Sequence, residues 1–413
     1  MRIKREKNHK DQRCFSAALA LLLFALLLGG CGLRPVTAEG PAAGNGTTEV
    51  FAPAAPETTP GPTETPAPTA TPVPTPEPTP CPHGAHDGES RRCTLCGELI
   101  PHNYVKGVCT LCGESPVFYD TVLPRELFEP CERQGRVETL QYTTTAYTPS
   151  TSKEPVETQK SVQVYLPYDY DPAEKYDLLI LLHGRNGSQK TWLSKQEQYA
   201  PDKEDGTPNT DEVNTRDLLD NLMDQARCRK LIVAAPTYYR DSTDPDSYKR
   251  QLDQPRFTRE LREDILPLLI ETYSTWAASG NEEDIIAARE HFGFAGLSMG
   301  SIYAYTSIIP DCLDYFSWFG CFSGSDGYMD YLGGLLNSSR FSISYFYNSV
   351  GERDMYYYLH TGQYKELLGW SKTLVPGENT DITVIRGVGH EYAAWAAGLA
   401  NFLSVAFAEP AEG

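Results

Sequence analysis

The chain has 413 residues, 36 of them Lys or Arg and 55 Asp or Glu, for a formal net charge of -19. The length points to two or three domains. The acidic balance argues against a protein that grips a nucleic-acid backbone, because phosphate is bound by basic patches. Aromatic residues make up 11%, with 25 Tyr against 15 Phe, a bias that suits a ring-stacking wet surface as well as an ordinary core and rim.

Residues 1–31 read as a targeting segment. Arg2, Lys4, Arg5, Lys7, Lys10 and Arg13 precede an apolar run over 15–28, shorter than the ~20 apolar residues of a spanning helix. The run ends in Leu28-Gly29-Gly30-Cys31, which resembles the bacterial lipobox. The expectation is a lipid anchor on Cys31 and a place on the extracellular face of a bacterial membrane, in preference to an uncleaved signal anchor or a soluble secreted form. Residues 32–80 read as a tether. From 52 to 80 they are dominated by Pro, Thr, Ala and Glu, a composition that buries no core and extends as a polyproline-like spacer.

Residues 81–115 form a small Cys/His module. Cys93 and Cys96, then Cys109 and Cys112, make two CxxC knuckles, each followed by Gly-Glu, with His83, His86 and His102 among them. Two such pairs complete a closed tetrahedral site, and a segment with so little core needs a metal or crosslinks. The expectation is one structural zinc on these four cysteines, in a module loosely similar to zinc ribbons. Two mixed sites, one using Cys81, His83 and His86 and the other near His102, and disulfide pairing are the alternatives.

Residues 117–413 are long enough to bury a substantial core as one domain. In chain order, 137–147 and 162–167 read as antiparallel strands. Residues 178–182, Leu-Leu-Ile-Leu-Leu, form an unbroken apolar run of the kind buried on both faces of a sheet. A helix is expected over 217–227, a strand over 231–235, and a helix over 259–273, where Leu261, Ile265, Leu268 and Leu269 recur at helical spacing. A strand over 292–295 and a helix over 302–309 follow, then strands over 315–322, 343–348 and 382–385. This alternation predicts an α/β fold with a mostly parallel central sheet flanked by helices.

Between the strand at 292–295 and the helix after it lies Gly296-Leu297-Ser298-Met299-Gly300. A GxSxG run in that context puts a serine on a strained strand-to-helix turn, its hydroxyl exposed and a helix N-terminus behind it. Ser298 is therefore the candidate nucleophile, with an acid and then a histidine expected after it in the chain. Only His360 and His390 follow it. His390 sits in a loop between a strand and the last helix, as a general base would; His360 falls in a tyrosine-rich helical stretch and reads as a surface residue. Asp354, just after the strand at 343–348, is the candidate acid, with Glu352 as competitor and helix capping as its bland alternative. In this kind of fold the oxyanion amides come from the loop after the 178–182 strand and from the residue after the nucleophile, here Arg185 and Met299. His183 reads as structural, packed under that loop.

The set LLHG, Arg185, Asn186-Gly187, Trp192, GLSMGS, GERD and GVGHEYAAW resembles the α/β-hydrolase esterases that include feruloyl esterases, acetylxylan esterases, S-formylglutathione hydrolases and antigen-85-type mycolyltransferases, over roughly 135–405. The resemblance implies an α/β-hydrolase fold, a serine carboxylesterase needing no catalytic cofactor, and a substrate of feruloyl or acetyl esters on plant polysaccharide. It places Tyr238, Tyr239 and Trp395 against the substrate. Ser301 departs from the glycine common at that point, and the polar stretch 201–214 looks inserted. Acyl transfer, hydrolysis of a siderophore ester, and a surface binding protein on a retained hydrolase fold are the competing functions.

Overall fold

A computed structural model describes residues 117–196, 213–240 and 254–407, with the backbone of 104–105 and 108–109, all within one compact unit, 76–413. The expected anchor at Cys31, the tether, and the ligand side chains of Cys93, Cys96, Cys109 and Cys112 lie outside the described residues. In that region a small antiparallel pair joins Tyr104–Val105 to Val108–Cys109. No helix among the described residues is long and apolar enough to cross a membrane.

The strands, in chain order, are β1 (Val117–Asp120), β2 (Arg136–Thr144), β3 (Thr158–Leu166), β4 (Asp177–Leu182), β5 (Leu231–Ala235), β6 (Phe292–Leu297), β7 (Trp318–Phe322), β8 (Tyr345–Gly351) and β9 (Thr380–Ile385). They form one nine-stranded sheet in the order β1-β9-β8-β7-β6-β4-β5-β3-β2. From β1 through β5 every pairing is parallel; only β5/β3 and β3/β2 are antiparallel. The expected mixed sheet is therefore present, with β1 added beside β9 as an edge strand that the sequence reading did not identify.

Strand β4 explains the layering. All six of its residues are buried. Leu178, Ile180 and Leu182 enter one apolar core and Leu179 and Leu181 the other, as the two-residue strand period requires. The first core packs against two long helices. One runs Gln254–Glu260, continues as a π-helical stretch Leu261–Ile265 and finishes Leu266–Thr272 (α2); the other runs Met299–Tyr303, Ala304–Ile308 as π-helix, then Ile309–Cys312 (α4). Each π stretch ends two residues before a proline, Pro267 or Pro310. Proline lacks the N–H of the regular ladder and its ring crowds the carbonyl four residues back, so the preceding turn widens. The second core packs against α1 (Thr215–Asp224) and α7 (Tyr392–Leu403). Asn214 caps α1 by accepting the Arg216 N–H. Helices α3 (Glu282–Ala287), α5 (Met329–Ser338) and α6 (Tyr357–Trp370) complete the described α-helices, beside short 3-10 turns at Arg125–Phe128 and Arg289–His291.

Of the stretch 201–214, only Val213–Asn214 is described, paired with Lys195–Gln196 in a small antiparallel ladder.

Candidate active site

Ser298 follows β6 and begins α4, with φ 50° and ψ −112°. A non-glycine residue held there costs on the order of 1–3 kcal/mol and persists only where its surroundings enforce it. They do. The Ser298 N–H donates to the Phe322 carbonyl at 2.7 Å, and the Ser298 carbonyl receives the Ile302 N–H at 3.0 Å. The motif glycines let backbone approach backbone: a Cβ on Gly296 would lie 2.5 Å from the Gly300 carbonyl carbon, and one on Gly300 2.6 Å from the Leu182 oxygen. Ser301, where glycine was expected, is buried and donates its hydroxyl to the Gly324 carbonyl. The departure thus braces the nucleophile turn against the loop after β7.

His390 leaves β9 in the loop before α7. Its Nε2 lies 2.9 Å from Ser298 Oγ, and its Nδ1 lies 3.0 Å from both carboxylate oxygens of Asp354. The Asp354 side chain is buried. A buried carboxylate at Nδ1 holds the proton there, leaving the Nε2 lone pair to accept from the serine hydroxyl. Asp354 Oδ1 also accepts the Tyr356 N–H at 2.8 Å. Glu352 does something else. It turns away and accepts the Gly387 N–H at 2.8 Å, tying the loops after β8 and β9 together. Arg353 N–H to the Val388 carbonyl, 2.8 Å, ties them again.

The loop after β4 comes up beside the serine: a Cβ on Gly184 would stand 3.1 Å from Ser298 Cβ. This brings Arg185 and Met299 to the same edge of the sheet as the hydroxyl. His183 is buried and neutral in character, since burial pushes its imidazole down to about 4. Its Nδ1 lies 2.6 Å from the Gly184 carbonyl and its Nε2 2.8 Å from Thr237 Oγ1, so it packs under the loop as the sequence suggested.

Two expectations are corrected. Tyr238 and Tyr239, read as lining a substrate cleft, are buried in the core. The Tyr238 ring stacks between His183 (4.4 Å) and Tyr303 (4.7 Å), and its hydroxyl donates to the Gly184 carbonyl at 2.8 Å. Tyr239 accepts the Asn186 N–H at 3.0 Å. Both hold the loop from beneath and face no solvent. His360, read as a surface residue, is fully buried. Its Nδ1 accepts the Gly324 N–H at 2.8 Å and its Nε2 faces Asn348 Oδ1 at 3.1 Å. Burial pushes it down to about 4 as well.

Trp395 is half-buried and meets the His390 ring edge-on at 5.1 Å. The sequence reading missed Tyr356, whose ring lies 5.3 Å from His390. Burial, then the Asp354 carboxylate beside it, raises the Tyr356 phenol above its ordinary value, with Arg185 pulling the other way and Asp326 adding to the rise. Its position two residues after the acid was the available signal.

No protein-family profile matches the chain. Over 215 residues, 52% of this chain, it is 29% identical to endo-1,4-beta-xylanase Y of Acetivibrio thermocellus; that stretch is 16% of the xylanase, so the chain matches only a small part of that protein. Among solved structures it is similar to a mutant feruloyl esterase module from Clostridium thermocellum complexed with sinapinate, with TM-score 0.56 and 23% identity over 71% of this chain and 95% of that one. It is also similar to a ferulic acid esterase from the anaerobic fungus Anaeromyces mucronatus, with TM-score 0.50 and 19% identity over 70% and 97%. In sheet order, strand directions and the serine turn after its central strand, the chain is an α/β-hydrolase by fold, with the architecture of these esterases.

Proposed function

We propose that the chain is a serine carboxylesterase that removes acyl groups, feruloyl or acetyl, from plant polysaccharide. The observation that carries this reading is the alignment Ser298 Oγ, His390 Nε2, His390 Nδ1, Asp354, with each gap at 2.9 or 3.0 Å. The Ser298 oxygen attacks the ester carbonyl while its proton passes to His390 Nε2. The oxyanion forms toward the amides of Arg185 and Met299, where a fixed dipole stabilises charge that only the transition state carries. His390 returns the proton to the departing sugar alcohol. Water then repeats the sequence, frees the acid and restores the serine. None of these steps draws on a metal.

The polysaccharide substrate is supported by the stretch similar to a xylanase and by the likeness to feruloyl esterases. Tyr356 and Trp395 flank His390 and offer aromatic edges to a phenolic acyl group. Lipid anchoring at Cys31, and one zinc on Cys93, Cys96, Cys109 and Cys112, belong to the same proposal: an enzyme held at the cell surface on a tether.

The test is product analysis. Purified protein should release ferulate or acetate from acylated arabinoxylan, and Ser298→Ala should reduce turnover by about 10⁵–10⁶-fold. Transfer of the acyl group to an added alcohol with no free acid would favour the acyltransferase reading. No Ser298-dependent reaction with any ester would leave a binding protein.

A further inference from the structure

Behind the serine site lies a buried ion pair that the reaction does not touch. Lys160 on β3 and Glu260 in α2 meet at 2.7 Å with side chains 2% and 0% exposed. Taking two charges out of water is costly, and an apolar pair of similar volume is often no less stable. Where their hydrogen bonds go is therefore informative. Glu260 accepts from Tyr142 (2.6 Å), Tyr147 (2.7 Å) and Lys160, as suits an ionised carboxylate. Lys160 spends its remaining donors on Tyr147 Oη (3.3 Å) and on the Thr237 carbonyl (2.8 Å).

From Thr237 the network runs forward. With His183 Nδ1 donating to the Gly184 carbonyl, its Nε2 accepts the Thr237 hydroxyl. The next residue, Tyr238, donates to that same carbonyl, which also receives the Gly187 N–H at 3.2 Å. Three donors thus converge on the oxygen of the Gly184–Arg185 peptide. In a trans peptide the N–H points opposite the carbonyl, so fixing this oxygen fixes the direction of the Arg185 amide.

We propose that Lys160, Glu260, Thr237 and Tyr238 form a positioning device that aims the Arg185 amide at the oxyanion. This rests on the esterase reading. The ion pair holds the 237–238 segment, and the segment holds the peptide plane. These are positioning residues; none reaches the reacting atoms.

Tyr238→Phe deletes one hydroxyl and keeps the stacked ring. A double variant, Lys160→Met with Glu260→Gln, removes the pair without stranding a charge. Each would be measured in the full chain for kcat and KM on 4-nitrophenyl acetate, for inhibition by an alkyl trifluoromethyl ketone, for Tm, and for amide hydrogen exchange over residues 183–190. The ketone is added to by Ser298 Oγ, its C=O becoming an alkoxide while the serine proton moves to His390, so its affinity reads the oxyanion site. For Tyr238→Phe, kcat is expected to fall about tenfold with KM held within about twofold, and the ketone Ki to rise by the same factor as kcat falls. Exchange should quicken over 183–190 and not elsewhere. The double variant should repeat this pattern more weakly.

Unchanged kcat and Ki with unchanged exchange over 183–190 would overturn the proposal. So would exchange that quickens uniformly with a lowered Tm, which marks ordinary structural support. If wild type processes no ester and Ser298 does not react with the ketone, the esterase reading fails. The exchange measurement still decides whether the network holds the loop.

Discussion

Asp354 and Glu352 stand two residues apart in one loop, yet the fold gives them separate tasks. Asp354 orients His390, while Glu352 clips one loop to the next through the Gly387 amide. On the proposed esterase reading, Asp354→Asn should therefore lower kcat by about 10⁴-fold, the size of effect seen when the orienting carboxylate of a Ser-His-Asp triad is replaced by its amide. Glu352→Gln keeps an oxygen for Gly387 and should change kcat less than about tenfold, a gap one set of 4-nitrophenyl acetate assays would reveal. The sequence left this choice open because both side chains are carboxylates at nearly the same position. Glycine is as decisive as charge here. Gly324→Ala would put a methyl carbon 2.4 Å from the Ser298 carbonyl oxygen, a contact that neither backbone can yield. A loss of about 1–3 kcal/mol in urea unfolding is expected, with activity falling alongside.

Strands and helices together deliver buried polar groups to the loops they support. Tyr238 follows β5, Lys160 comes from β3 and Glu260 from α2 beside its π stretch. Lys160→Met alone strands the Glu260 carboxylate and should cost about 3–5 kcal/mol, whereas the double change with Glu260→Gln should cost much less. A double-mutant cycle in urea would measure the difference. Additive costs would mean that the two charges are not coupled. His360 comes from α6 and accepts the Gly324 N–H directly beneath the nucleophile turn. Its helix was legible as a tyrosine-rich helical stretch. Its direction was not, because α6 has buried residues at His360, Thr361, Tyr364 and Leu367, and composition alone does not reveal which side of such a helix meets the sheet.

For the whole molecule, the two buried histidines set an acid limit. His183 and His360 are both pushed down to about 4 by burial, against about 6.5 in an unfolded chain. Between these values the unfolded state binds the extra protons. Stability is thus fully present above about pH 6.5 and falls as pH drops toward 4, by up to about 3 kcal/mol per histidine. Urea midpoints measured from pH 7 to pH 4.5 should fall, and His360→Gln should flatten part of that slope. An unchanged slope in the variant would assign the acid sensitivity elsewhere. The module at 81–115 has its own test: metal content of the purified full chain should give one zinc, lost in a Cys93→Ser, Cys112→Ser variant.

Sequence alone determined what depends on local pattern. The apolar run at 178–182 read as a strand buried on both faces, and it is one. The GxSxG run between a short strand and a helix marked Ser298 as the candidate nucleophile, and chain order left two histidines as candidates for the base. What depends on direction emerged with the packed fold. It turned Tyr238 and Tyr239 inward as props, buried His360, gave Ser301 a partner in Gly324, and joined Lys160 to Glu260 across 100 positions of chain. Periodicity records which neighbours along the chain share a face, whereas a hydrogen bond between distant segments depends on how strands and helices are stacked. That stacking is fixed by the packing of the whole core, to which no single stretch of residues has access.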